Sequence, residues 1–195
     1  METLTLSIFE IPEIDPLPRM AEEGALPALV SGLAPIHRAQ LAAALRMRAA
    51  RPVAVVCPDD TSAEAMAKNM SAFLGEEVPA VLSRQLVLYS ALGASRTAEQ
   101  HTLAALWRMA GGCVLTVSAL MQRAIPPEAL LGAAFELKAG FQGGPEAVEA
   151  ALLRCGYERT EEVEGVGQFS RRGGILDFFS PAHAKPVRCD FWGDE

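Results

Sequence analysis

Short runs of consecutive aliphatic residues alternate with helically spaced stretches over the first two thirds of this chain. Leu29-Val30-Ser31-Gly32 reads as a strand end, and Ala39 to Ala50 is rich in Ala, Leu, Arg and Met, all good helix formers. Pro52 to Cys57 is a β-branched run followed by Pro58-Asp59-Asp60, whose aspartates read as a helix N-cap beside Thr61 in preference to a metal site. Thr61-Ser62-Ala63-Glu64 fits a capping box that opens a helix to about Leu74, and Gly75 ends it. The run from Val81 to Tyr89 is apolar without a clear period. Ser95 to Ala110 has helical spacing, with Leu103, Leu106, Trp107 and Ala110 on one face and Gly111-Gly112 as its stop. Cys113 to Val117 is a second buried-type strand, followed by a short helix through Leu120-Met121-Gln122-Arg123. Strands aliphatic throughout, alternating with helices, predict a mostly parallel sheet covered on both faces.

Pro126-Pro127 interrupts this regime, and a different one begins near Phe135. Glu136-Leu137-Lys138 reads as a strand. Gly143-Gly144-Pro145 opens a helix whose apolar stripe is Ala147, Val148, Ala151, Leu152 and Cys155. Strand-like pieces follow at 158–163, 166–172, 174–179 and 186–192, and half of the chain's aromatic residues lie from Tyr157 onward. The expected division is therefore an α/β domain over 1–131 and a small α+β domain with an antiparallel sheet over 132–195.

The length of 195 residues fits one or two domains at the usual ~150 residues each. No apolar run reaches the ~18–20 residues of a membrane helix, and the N-terminus has no secretory signal pattern, so a cytoplasmic location is expected. Lys and Arg number 17 against 24 Asp and Glu, a net charge of -7. That balance argues against autonomous binding to nucleic acid, where phosphate neutralisation supplies most of the affinity. Cys57, Cys113, Cys155 and Cys189 lie far apart, without zinc spacing, and read as buried free thiols. No metal site is expected.

Gly32 to Ala39, between an expected strand and an expected helix, is where a parallel α/β domain holds a nucleotide. A phosphate loop reads G-x-x-x-x-G-K-[ST], and here the eight residues are G-L-A-P-I-H-R-A. Gly32 is in place. His37 replaces the second glycine, Arg38 the lysine, and Ala39 the hydroxyl residue that would hold magnesium. Pro35 removes a backbone N–H as well. The loop is expected to be non-functional, with no cofactor. The alternative is an ordinary strand–helix turn. His37, His101 and His183 have no partner pattern for a nucleophile or metal, and no catalytic residue is assigned.

The most informative stretch is 168–195. Period-2 alternation puts Val187, Cys189 and Phe191 on one face, the expected core face, and Arg188, Asp190 and Trp192 on the other. An arginine and a tryptophan on an outer face have the composition of an interface anchor. Arg171, Arg172, Lys185 and Arg188, against the single acid Asp177, form a local positive stripe. Gly173-Gly174 predicts a bulge or sharp bend that re-aims Arg172.

The pattern F-x-x-R-G-G-I-L-D-F-F-x-P, followed by P-V-R-x-D-F-W-G-D-E, resembles the N-terminal region of the bacterial transcription-repair coupling factors (Mfd), which is itself similar to UvrB. Val53 to Asp59, Cys113 to Arg123 and Cys155 to Val163 are similar to further family segments in the same order, so the resemblance covers about residues 25–195. UvrB keeps a working phosphate loop and Mfd has lost it, so the departure at Gly32–Ala39 points to Mfd. The match is weaker at Ser90-Ala91-Leu92-Gly93.

The resemblance implies a degenerate P-loop NTPase-like scaffold without activity and a small inserted domain that binds UvrA. It carries UvrA contacts onto Arg172, Arg188 and Trp192. The family usually has Phe where Trp192 stands. It also implies that RNA polymerase and DNA are bound by other domains of a longer protein, and that the small domain here is truncated at its C-terminal end. The expected role is a non-catalytic adaptor of nucleotide excision repair. The alternatives are a fragment of a UvrB-like helicase, a DNA-binding module using the positive stripe, and an unrelated α/β domain.

Overall fold

The computed structural model of the chain describes residues 1–49, 51–84 and 96–192. Expectations that fall on Ala50, on Gln85 to Ser95 and on Gly193 to Glu195 lie outside them. The chain divides into two compact units. One is Met1–Arg84 with Ala105–Arg123; the other contains, among the described residues, 96–104 and 124–192.

The first unit runs α1 (Glu2–Leu6), α2 (Leu17–Glu22), α3 (Pro35–Ala49), β1 (Ala54–Cys57), α4 (Asp60–Leu74) and β2 (Ala80–Val81). It resumes at the end of α5 (Arg96–Arg108), with β3 (Cys113–Thr116) and α6 (Val117–Leu120). The three strands form the expected parallel sheet, in the order β1-β3-β2. Only the central strand β3 is buried along its whole length. Among the described strands β1 lies at the edge, and Ala54 and Val56 remain exposed, so the expectation of full cover on both faces fails there.

Alanines let α3 and α4 lie close to this sheet. Ala39, Ala63 and Ala67 share a core with Cys57, Met70, Val78 and Val114. Gly112 enters β3 at φ 114, and a Cβ there would meet the Val53 carbonyl oxygen at 2.8 Å, so only glycine fits. Ile8, Phe9 and Ile14 pack on Leu41 and Ala44 of α3, while the buried Thr5 hydroxyl donates to the Phe73 carbonyl at 2.8 Å.

The helix after β1 starts earlier than the capping-box reading. Asp59, not Thr61, is the N-cap, and its carboxylate accepts from the Ser62 N–H at 2.7 Å. Asp60 is thereby left to hold Ser83, accepting from its N–H at 3.1 Å and its hydroxyl at 2.8 Å. Gly75 closes the helix in the left-handed conformation, as expected. On α5 the buried residues are Gln100, Ala104 and Ala105, and Trp107 is about half exposed; the expected stripe through Trp107 is not the buried one. Leu29 to Gly32 forms no strand. It has no pairing partner among the described residues, and Leu29 and Val30 are exposed.

The second unit contains α7 (Pro127–Ala133), α8 (Gly144–Arg154), β4 (Glu158–Arg159), β5 (Gln168–Arg172), β6 (Ile175–Phe178) and β7 (Val187–Asp190). Pro127 starts α7 at a helix's first position, so the proline pair that reads as a breaker also begins an element. Glu136 to Lys138 is not a strand. On α8, Val148, Ala151 and Leu152 are buried, whereas Ala147 is exposed.

The four strands form a sheet in chain order. β4 runs parallel to β5, and the pairs β5–β6 and β6–β7 are antiparallel, so the sheet is mixed. Val148 and Leu152 pack on Phe169, Leu176 and Phe178, with Tyr157, Val187, Cys189 and Phe191 around them. Cys57 and Cys113 are buried, Cys155 and Cys189 only half so, and all four are free. Burial pushes each thiol above its ordinary range. Among the described residues no helix is long and apolar enough to cross a membrane.

Candidate protein-binding surface

Side chains alternate across a strand, so the register of β5, β6 and β7 fixes which residues share a face. Phe169 pairs with Phe178, Arg171 with Leu176, Leu176 with Cys189, and Phe178 with Val187. Those residues form the face that carries the core. The opposite face has two rows across the sheet. One is Arg172, Ile175 and Asp190; the other is Ser170, Asp177 and Arg188. Arg172, Ile175, Arg188 and Asp190 on this face are exposed. The chain's alternation therefore separates core from surface on β7 as the sequence predicts.

Gly173 and Gly174 form the two-residue turn between β5 and β6, with Gly173 at φ 64. Of the expected bulge or sharp bend, the structure has the bend, as a hairpin turn. Arg172 and Ile175 are its closing pair. Gly174 has a second role: the Phe191 N–H donates to its carbonyl at 2.9 Å, and a Cβ on it would lie 2.8 Å from the Phe191 oxygen.

Arg188 is held by a two-pronged contact. Its Nε and Nη2 each donate to one oxygen of Asp177 at 2.7 Å. The guanidinium side is 69% exposed and the carboxylate side 28%, so the pair points outward. The Arg188 guanidinium holds the Asp177 carboxyl below its usual range, and the positive charge of Arg172 adds to the effect. Arg172 donates from Nη2 to the Glu161 carbonyl at 3.0 Å. Trp192 follows β7 and is 84% exposed, while its neighbour Phe191 packs on the core.

The structure thus brings Arg172 and Arg188 to one face, on either side of Asp177. It removes Arg171 from the positive stripe. Arg171 lies on the core face, where Nη1 reaches Glu149 at 3.1 Å and Nη2 reaches Glu146, both on α8. Lys185 stays exposed in the turn before β7. The sequence reading passed over Ile175 as a surface residue, and it took Asp177 for a lone acid without its pairing to Arg188. Their signal was the alternation of Ile175 and Asp177 with the apolar Leu176 and Phe178.

The residues of the expected phosphate loop are placed differently from one another. Gly32 is exposed at φ 80, ahead of α3. His37 and Arg38 are exposed on the first turns of α3, and the Arg38 Nε donates back to the Leu33 carbonyl at 2.9 Å. Ala39 is fully buried in the core. Among the described residues no group of three or more His, Cys, Asp and Glu side chains is placed to hold a metal ion.

Residues 135–195 match the family described as the UvrB interaction domain. That match contains the whole β4–β7 sheet. Across most of its length the chain is also similar to a transcription-repair-coupling factor of Myxococcus xanthus, at 32% identity over 84% of the chain. The chain is homologous to the N-terminal region of the transcription-repair-coupling factors. The protein of that name from Escherichia coli (strain K12) is 28% identical over 80% of the chain. A UvrABC system protein B from Pseudothermotoga lettingae is 33% identical over 30% of the chain. The chain spans about 15% of the length of the curated coupling factors from Myxococcus xanthus and Escherichia coli.

Proposed function

We propose that this chain is a non-catalytic adaptor module of transcription-coupled nucleotide excision repair, and that it recruits UvrA through its small sheet. The contacts are Arg172, Arg188 and Trp192, in a partner-binding domain over 132–195. The observation that carries the reading is the shared open face: Arg172 and Arg188 stand together there, and the exposed Trp192 follows β7. Arginine forks suit carboxylates, and a tryptophan supplies apolar area for a protein partner. Asp177 and Asp190 on the same face disfavour a nucleic-acid backbone, which needs an unbroken positive surface.

The domain over 1–131 acts as a scaffold that does not bind ATP. In support, Arg38 is folded onto a backbone carbonyl and Ala39 is enclosed by apolar side chains. In the longer protein, RNA polymerase and DNA are engaged by other parts, in the cytoplasm.

The test is a calorimetric titration of the chain against purified UvrA, beside Arg172→Ala, Arg188→Ala and Trp192→Ala, with folds checked by circular dichroism. Saturable binding weakened by each substitution supports the reading. Absence of binding by a folded chain overturns it, and heat of ATP binding overturns the scaffold role.

A further inference from the structure

We infer that Asp177 is a positioning residue of this surface: it fixes the Arg188 guanidinium so that its remaining N–H groups meet a carboxylate of the protein partner. The inference rests on the proposed recognition of UvrA and deepens it.

Asp177 and Arg188 are direct register partners on β6 and β7, so the backbone already sets their spacing. Two oxygens meet two nitrogens, both at 2.7 Å. This uses the Nε–H and one N–H of Nη2. Both N–H groups of Nη1 and the second of Nη2 stay uncommitted to Asp177, and they lie on the outer part of a mostly exposed side chain. A free arginine has many rotamers, and a partner that binds one of them must order it. A fork already clamped at its inner edge needs less ordering.

Arg172 is tied in a related way, through Nη2 to the Glu161 carbonyl, and it lies diagonally across from Asp177 in the register. The face therefore presents two anchored guanidinium groups. Such a face suits acceptor groups arriving at fixed positions, and the outward edge of Arg188 suits the planar carboxylate of an acidic side chain.

The experiment is a double-mutant cycle read by titration against purified UvrA, with the whole chain as wild type, Asp177→Asn, Arg188→Ala and the double variant. Asparagine keeps the shape and loses the two-oxygen clamp. The expected result is about tenfold weaker binding for Asp177→Asn alone, and no further loss when it is added to Arg188→Ala. Nitrogen relaxation of the Arg188 Nε–H in the free chain gives a readout independent of UvrA. It should show an ordered group in wild type and a mobile one in Asp177→Asn. Unchanged or tighter binding by Asp177→Asn overturns the inference, as does an equal loss in both backgrounds or an unaltered Nε–H signal. Loss of the parent reading looks different: there, wild type fails to bind, or Arg188→Ala binds as wild type does.

Discussion

Arg171 and Arg172 are adjacent in the chain and face opposite ways across the small sheet. Arg171 turns to α8 and is paired with Glu146 and Glu149; Arg172 is exposed on the open face. Their substitutions should separate cleanly. Arg171→Ala lowers the thermal unfolding midpoint by leaving Glu149, whose side chain is only 15% exposed, without that partner. Arg172→Ala leaves the midpoint in place and weakens UvrA binding about tenfold. Calorimetry on both variants checks the pair of outcomes, and an unchanged midpoint for Arg171→Ala would contradict the assignment.

The same ion pairs set a pH dependence. Arg171 lowers the Glu146 carboxyl below its usual range, and Arg188 does the same for Asp177. A carboxylate depressed in the folded state stabilises above its unfolded value and loses that contribution as pH falls through the folded value. The midpoint difference between wild type and Arg171→Ala should hold steady from pH 8 to about pH 5, then shrink below about pH 4. Melting curves across that range test it; a difference that shrinks near neutrality is the contrary result.

Gly174→Ala should disturb the end of β7. Its new Cβ has to displace the Phe191 carbonyl, which would be only 2.8 Å away. The expected cost is about 1–3 kcal/mol in chemical denaturation. Weakened UvrA binding should accompany it, because Trp192 follows Phe191 directly. An Ala variant as stable as wild type would show that the strand end adapts without strain.

Asp59→Ala removes the N-cap of α4 and should cost about 1 kcal/mol in urea denaturation. Thr61→Ala should cost less than that, since Thr61 is not the cap. Reversal of that order would restore the capping-box reading.

Alternation was readable where a strand has one buried and one open face. On β7 the sequence separates Cys189 from Arg188 without help, and β3 announces itself by four consecutive buried residues. It failed where pairing decides. Leu29-Val30 has the composition of a strand, but strands form by pairing, and no described strand adjoins it. Trp107 looked like core because helical spacing groups it with Leu103, Leu106 and Ala110, while the buried side of α5 is Gln100, Ala104 and Ala105. Asp177 looked like a lone acid diluting a positive stripe, because a cross-strand partner 11 residues away cannot be seen before the register is known. Of the proposed contacts, Arg188 and Trp192 could be reached from period-2 spacing; Arg172 came from the family motif.

The enclosure of Ala39 constrains what position 39 can hold. Core residues around it, Ala63, Ala67, Met70 and Val114, are themselves fully or almost fully buried. A serine or threonine placed there would bring a hydroxyl into that apolar site, with the helix's own i−4 carbonyl as its acceptor. It would have to be accommodated before it could serve any metal-bound phosphate. Substitution at Arg38 and His37 meets less resistance, since both are exposed, whereas position 39 is enclosed. The packing around α3 thus disfavours, at position 39, the hydroxyl residue that a phosphate loop needs.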